Sequence, residues 1–251
     1  MSIVKRASLG AASLLAVAAF AAPSFADGLP DRGRISGSHG CSVSGSVGLG
    51  TDYVFRGISQ TFNNPAAQAS VDLTCGKFYV GAFTSNIDFG VEGTLEVDVY
   101  GGYKFSTGRI NWDVGFIYYA YPGMSSGVDA DYLELKLSAG TEITKGGTLT
   151  GTLFHSPEYT FQTGAVTTFE VTYSQALPKV SIFSPTFSAT YGYSEFHDFD
   201  FLSYGYWNLG VTLGFRERWS VDLRYWDSEN EGFAAGPLGE DRFMATLKYS
   251  F

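Results

Sequence analysis

The chain has 251 residues and a formal net charge of −9, from 16 Lys and Arg against 25 Asp and Glu. That acidic balance excludes a nucleic-acid partner, which would ask for a basic face. Mean hydropathy is +0.02 with 16% aromatics, yet beyond the first 26 residues no apolar run approaches the roughly 20 residues of a membrane helix, so a helical membrane protein is excluded too.

The chain opens on a targeting segment. Lys5 and Arg6 form a basic start, residues 9–22 an apolar stretch too short to span a bilayer, and Ser24, Phe25 and Ala26 a small-x-small cleavage site. Residues 1–26 therefore read as a signal peptide. Its loss would leave 14 bases against 25 acids, a charge near −11. Residues 27–40, "DGLPDRGRISGSHG", read as a flexible polar tail on the periplasmic side of an envelope protein.

From residue 42 onward, segments of about ten residues alternate apolar and polar with the period of a half-buried strand. In "SVSGSVGLGTDYVFR" Val43, Val47, Leu49, Tyr53 and Phe55 share one face. Ser44, Ser46, Gly48, Asp52 and Arg56 share the other, with Val54 out of step. In "TLEVDVYGGYKF" Leu95, Val97, Val99, Tyr103 and Phe105 oppose Glu96, Asp98, Tyr100 and Lys104. The pattern recurs to the end of the chain and predicts twelve strands, starting near residues 42, 66, 78, 94, 110, 131, 148, 165, 185, 204, 219 and 242. Residues 78–86 and 148–156 alternate poorly, and their faces stay open.

Short turns such as "GK", "STGR" and "RER" alternate with longer loops such as "GISQTFNNP", "YPGMSSGVDAD", "EFHDFDFLS" and "SENEGFAAGPLGED". An even strand number with long loops at one rim and short turns at the other is the pattern of a transmembrane antiparallel up-and-down β-barrel of the outer membrane. The predicted barrel covers residues 41–251. Aromatics sort to strand ends and aliphatics to strand centres, as in Trp207, Leu209, Val211, Leu213, Phe215. A lipid-facing wall explains that sorting, because amphipathic rings settle at the two headgroup levels. A soluble β-sandwich or lipocalin-like barrel, with its apolar face inward, gives no reason for it. On this reading Tyr53 and Phe55 belong to the outer aromatic girdle. The last strand ends in Phe251 with Tyr249, Leu247 and Ala245 in step, which resembles the signal read by the barrel-assembly machinery. That machinery and outer-membrane lipid are the expected partners.

The first third of the barrel also resembles a known group. "TDYVFRGISQT", "NPAAQ", "FYVGAFTSNIDF" and "LEVDVYGGY", with "HSPEY" further on, are similar to the TorF-like family of putative outer-membrane porins. The resemblance implies a porin character and carries neither a substrate nor a catalytic residue.

By parity the lumen receives the acids Asp52, Asp72, Glu96, Asp98, Glu134, Glu170 and Asp222, with Asp113 less clearly placed. The bases on that face are Arg56, Lys104, Lys136, Arg224 and Lys248. A mild acidic excess suits small polar solutes or cations crossing by passive diffusion. A charge network that plugs the barrel is the structural alternative, since twelve strands lie between filled and open barrels. A surface receptor or adhesin acting through the long loops is another reading. An outer-membrane hydrolase is a third, but His39, His155 and His197 lie far apart in sequence, and His155 and Ser156 face opposite sides of a strand. No catalytic residue, metal ligand set or cofactor motif emerges. Cys41 and Cys75 fall opposite one another if the first hairpin centres near residue 58, and an oxidising compartment would let them join.

Overall fold

The computed structural model describes residues 35–36, 40–90, 93–124 and 128–251. The predicted signal peptide, most of the tail and the loop tip at Ser125 lie outside the described residues.

Twelve long strands run antiparallel in chain order: β1 (Cys41–Gly50), β2 (Ala66–Cys75), β3 (Phe78–Asn86), β4 (Leu95–Thr107), β5 (Ile110–Ala120) and β6 (Tyr132–Thr144). They continue as β7 (Gly147–Ser156), β8 (Val166–Ala176), β9 (Ser184–Phe196), β10 (Tyr204–Phe215), β11 (Trp219–Ser228) and β12 (Arg242–Ser250). Each pairs with its sequence neighbours, and β12 pairs back onto β1. Closure gives every strand two partners, so the sheet presents no free edge. The strands begin at or beside the predicted positions because alternation, rather than intrinsic propensity, drives them.

That alternation turns the usual soluble arrangement inside out. Leu49 (65% exposed), Leu135 (52%) and Leu209 (44%) stand on the outer wall, whereas Glu96 (2%), Asp98 (0%) and Glu134 (1%) are buried inside. Aromatic pairs mark both ends of the apolar belt. Trp207 and Tyr225 meet at the long-loop end with centroids 5.5 Å apart, and Trp219 and Tyr249 at the short-turn end at 5.0 Å. The two segments of open face now resolve. Tyr79 and Phe83 on β3 and Phe154 on β7 point inward and are buried. Aromatics on the inward face are what blurred the period there.

Some of these inward rings need glycine across the ladder. Gly192 is the direct partner of Tyr206, and a Cβ there would overlap its ring. The glycines of the wall thus seat interior tyrosines against the backbone.

In the first hairpin Cys41 lies opposite Cys75, Val43 opposite Leu73 and Leu49 opposite Ala67. The cysteines, with Cα atoms 4.2 Å apart, are joined by a disulfide. Above this hairpin the structure corrects the sequence reading. β1 stops at Gly50, and residues 52–61 fold into the barrel instead of continuing the wall or projecting outward, while residues 62–65 return exposed to β2. Tyr53 is 1% exposed and is no part of an outer girdle, and Phe55 follows it inward. Gln60, at the centre of a predicted surface loop, is 8% exposed.

Candidate functional site

The inward segment is a small hairpin. Val54 and Phe55 pair with Ser59 and Ile58, leaving Arg56 and Gly57 as a two-residue turn. Both have positive φ, +48° and +82°. This is the turn whose twist matches a hairpin, and it favours Asn-Gly because a non-glycine residue at its first position is strained. Gly57 is required twice over. Besides its φ, a Cβ would press on Tyr206 and Ser228 of the facing wall. Arginine in such a position is held by its surroundings.

What holds it is the far side of the barrel. Arg56 Nη1 and Nη2 donate to Glu134 Oε1 and Oε2 at 2.7 and 2.9 Å. β6, which carries Glu134, is separated from β1 by four strands on one side and by six on the other, so the side chain bridges the lumen. Both side chains are 1% exposed. Tyr119 donates a further bond to Glu134 Oε2 at 3.2 Å. The guanidinium lies over the rings of Phe55 and Phe154, 4.7 and 4.8 Å from their centroids. A planar, weakly hydrated cation suits such a fork and two ring faces better than lysine would.

The foot of the hairpin is tied equally firmly. Asp52 Oδ1 accepts from the Tyr53 backbone N–H at 2.7 Å, Ser59 Oγ at 2.8 Å and Thr61 Oγ1 at 2.7 Å. Asp52 Oδ2 takes Arg242 Nη1 at 3.1 Å. Arg242 begins β12 above the level where β1 has left the sheet, and also donates to Asn63 and to the Leu238 carbonyl. It closes the seam left by the departing strand. Tyr53 donates to Glu96 Oε1 at 2.5 Å.

An aromatic collar surrounds the hairpin tip. Tyr119 stacks on Tyr132 at 4.4 Å, Tyr132 meets Tyr159 at 4.5 Å, and Tyr159 meets Phe196 edge-on at 5.7 Å. Tyr159 comes from the "HSPEY" stretch between β7 and β8. Towards the short-turn end the interior becomes a polar network. Lys136 donates to Asp113 Oδ2 at 2.8 Å, Tyr79 to Asp113 Oδ1 at 2.8 Å, and Tyr100 to Asp72 at 2.7 Å. Arg224 reaches Asp222 at 3.0 Å, Asn208 at 2.6 Å and Ser188 at 2.9 Å, while Tyr206 donates to Glu170 at 2.5 Å. Lys104 lies over the Tyr79 ring at 4.8 Å. Lys248, on β12, is half-buried.

The twelve charged residues assigned inward by parity divide into two groups. Asp52, Arg56, Glu96, Asp98 and Glu134 gather around the hairpin, and the others line the layer below it. Asp52 and Arg56 reach their positions through a turn rather than along a strand, and each pairs with a residue other than its neighbour. Sequence reasoning missed Arg242, Tyr119, Phe154 and Tyr159, whose roles arise from residues far along the chain. It also treated the histidines as scattered. Strands β7 to β9 bring His155 and His197 together at the outer rim, with Thr167 Oγ1 within 3.0 and 2.8 Å of them. Among the described residues no group of three or more His, Cys, Asp or Glu could hold a metal ion.

A family model described as "Bacterial protein of unknown function (Gcw_chp)" matches residues 35–251. No curated protein matches the chain in sequence. Among solved structures it resembles a KdgM porin, with a TM-score of 0.59 at 10% identity over 83% of this chain and 99% of that one. The same porin in complex with disordered oligogalacturonate gives 0.57 at 10% identity, over 83% and 98%. A NanC porin gives 0.53 at 10% identity, again over 83% and 98%. These likenesses share the fold.

Proposed function

The chain belongs to the Gcw_chp family, and we propose that it is an outer-membrane channel for small polar solutes or ions, narrowed by the inward segment of residues 52–61. The carrying observation is the Arg56–Glu134 bridge across a barrel whose wall is polar inside and apolar outside. A constriction built from a cation and an anion on opposite walls selects by size and by charge. The resemblance of "TDYVFRGISQT" to TorF-like porins supports the same reading, and that stretch is the constriction hairpin itself. Such a channel works by passive diffusion and needs no catalytic residue.

One neighbour was solved with oligogalacturonate, a chain of carboxylates. The lumen here favours a different cargo. Its inward acids include Asp52, Asp72, Glu96, Asp98, Asp113 and Glu134, and its bases are mostly engaged with them. A polyanion would meet net repulsion, so cations and neutral polar solutes fit better.

A second reading, a barrel sealed by its own interior, draws on the buried collar of Tyr119, Tyr132, Phe154 and Phe196. Planar-bilayer recording separates the two. The intact barrel should show unitary steps with cation-selective reversal potentials in a salt gradient. A variant with residues 54–59 replaced by a short glycine-serine link should conduct more. Silence from the intact protein with steps from the trimmed one would support the sealed barrel, and silence from both would end the channel reading.

A further inference from the structure

The exposed charges of the barrel are sorted between its two ends. Each of the five short turns carries a Lys or Arg. Lys77 lies between β2 and β3, Arg109 between β4 and β5, Lys145 between β6 and β7, Lys179 between β8 and β9, and Arg216 and Arg218 between β10 and β11. Among the described residues Glu142 and Glu217 are the acids of that rim, and Glu142 is turned onto the Gly146 amide. At the other end Asp129, Asp131, Glu158, Asp198, Glu229 and Glu231 stand exposed on the long connections. Among the described residues the Lys or Arg of that end is Arg242, and it is bound to Asp52. A chain of net charge −9 has thus gathered an excess of cations on one rim. These bases also keep apolar company. Lys77 precedes Phe78, Arg109 precedes Ile110, Lys179 precedes Val180 and Arg218 precedes Trp219, all of them exposed, and Ile143, exposed too, lies two residues before Lys145. Lys77 Nζ lies over the Tyr103 ring at 5.9 Å, and Arg218 Nη1 donates to the Tyr249 hydroxyl at 3.3 Å. Tyr103 packs on Phe78 and Tyr249 on Trp219 at the outer wall, so these two cations sit beside the aromatic belt rather than over the lumen.

We propose that the short-turn rim binds anionic phospholipids of the leaflet that surrounds it, its bases taking their phosphates. In a bilayer aromatic side chains settle at headgroup level. A Lys or Arg beside them reaches the phosphates while its stem stays on apolar surface. The pairing of a base with an apolar neighbour recurs at each of the five short turns, so the cations encircle the barrel. A protein partner would need a patch on one side, whereas a leaflet meets the whole circumference. A headgroup with net negative charge gains from such a ring, and a zwitterionic one gains little. The acidic long connections repel phosphate, so the preference belongs to one rim. The inference rests on the wall spanning a bilayer and not on conduction.

The test reads two tryptophans, since Trp219 marks the short-turn end and Trp207 the long-loop end. Two full barrels, each keeping one of them and carrying Phe at the other tryptophans, are folded into phosphatidylcholine vesicles with a minor fraction of brominated lipid. That lipid is phosphatidylglycerol in one series and phosphatidylcholine in the other. Both leaflets have the same composition, so the direction of insertion does not enter. Phosphatidylglycerol should quench Trp219 more strongly, with a relative association of about fivefold for a base within reach. Trp207 should show no such preference, and high salt should shrink the one at Trp219. Lys77→Gln, Arg109→Gln, Lys145→Gln, Lys179→Gln, Arg216→Gln and Arg218→Gln together should abolish it, whereas exchanging Lys for Arg and Arg for Lys at these positions should keep it. Heat-modifiable gel migration checks that each variant is folded. Equal quenching of Trp219 by the two lipids, a preference that survives the six substitutions or high salt, or an equal preference at Trp207 would overturn the proposal. Binding of soluble polyglutamate to the detergent-folded barrel in place of any lipid preference would assign the rim to an acidic protein and overturn it too. Quenching of neither tryptophan by either lipid would take the wall out of the bilayer and the channel reading with it, whereas quenching without preference would overturn the rim alone.

Discussion

Arg56 is held inside the barrel by a partner that its own strand does not carry, Glu134. Parity along "TDYVFR" assigns it inward, and inward it lies, yet it arrives through a left-handed turn rather than a strand. Its bond to Glu134 makes a prediction at this scale. Removing one partner of a buried, bidentate pair leaves the other charge stranded and costs about 3–5 kcal/mol. Arg56→Ala should therefore release the hairpin, and hydrogen exchange of amides 54–59 should accelerate strongly. The paired variant Arg56→Ala/Glu134→Gln should recover much of the protection. Exchange unchanged in the single variant would mean that the ion pair does not hold the hairpin. Why the sequence misled at Tyr53 and Phe55 is also plain. A run of alternating residues carries no mark of where a strand leaves its sheet, and the Arg-Gly pair is a weak turn signal beside Asn-Gly.

At the scale of the element, the strands obey a rule simple enough to read directly. Period two with aliphatics at mid-strand marks ten of the twelve long strands and their faces, and a hairpin centred near residue 58 gives the register of the first pair. Val211, mid-strand on β10 with its side chain outward, provides a test. Val211→Arg should destabilise the barrel by about 2–4 kcal/mol if it meets the bilayer midplane, measured by reversible urea unfolding in lipid vesicles. A cost near zero would put that wall elsewhere than in lipid. The disulfide between Cys41 and Cys75 clips two strands already joined by a ladder. Mass-tagged maleimide should label neither thiol in the folded, unreduced protein and both after reduction and denaturation. Midpoints of unfolding should differ little between oxidised and reduced barrels, since the cross-link closes a hairpin that hydrogen bonds already hold. The weakly alternating strands, β3 and β7, failed the rule because a filled interior admits aromatics on the polar face.

For the molecule as a whole, loop length carries the orientation. Short turns at one end and long connections at the other predict that the connections around Asp198 and Glu231 face the cell exterior. Protease added to intact cells should cleave there and spare the turns at residues 108–109 and 216–218. The segment around Gln60 should resist, because it is folded into the barrel. Cleavage at the short turns would reverse the orientation. What the sequence determined by itself is the wall: strand number, and which face of each strand points outward and which inward. Those follow from local alternation, which every ten-residue segment carries within it. What only the tertiary structure decided is the interior. The partners there, such as Arg56 with Glu134, Asp52 with Arg242 and Tyr53 with Glu96, come from opposite walls and distant strands. Closing the barrel brings them within reach, and no pattern along one strand encodes which charge it will meet across the lumen.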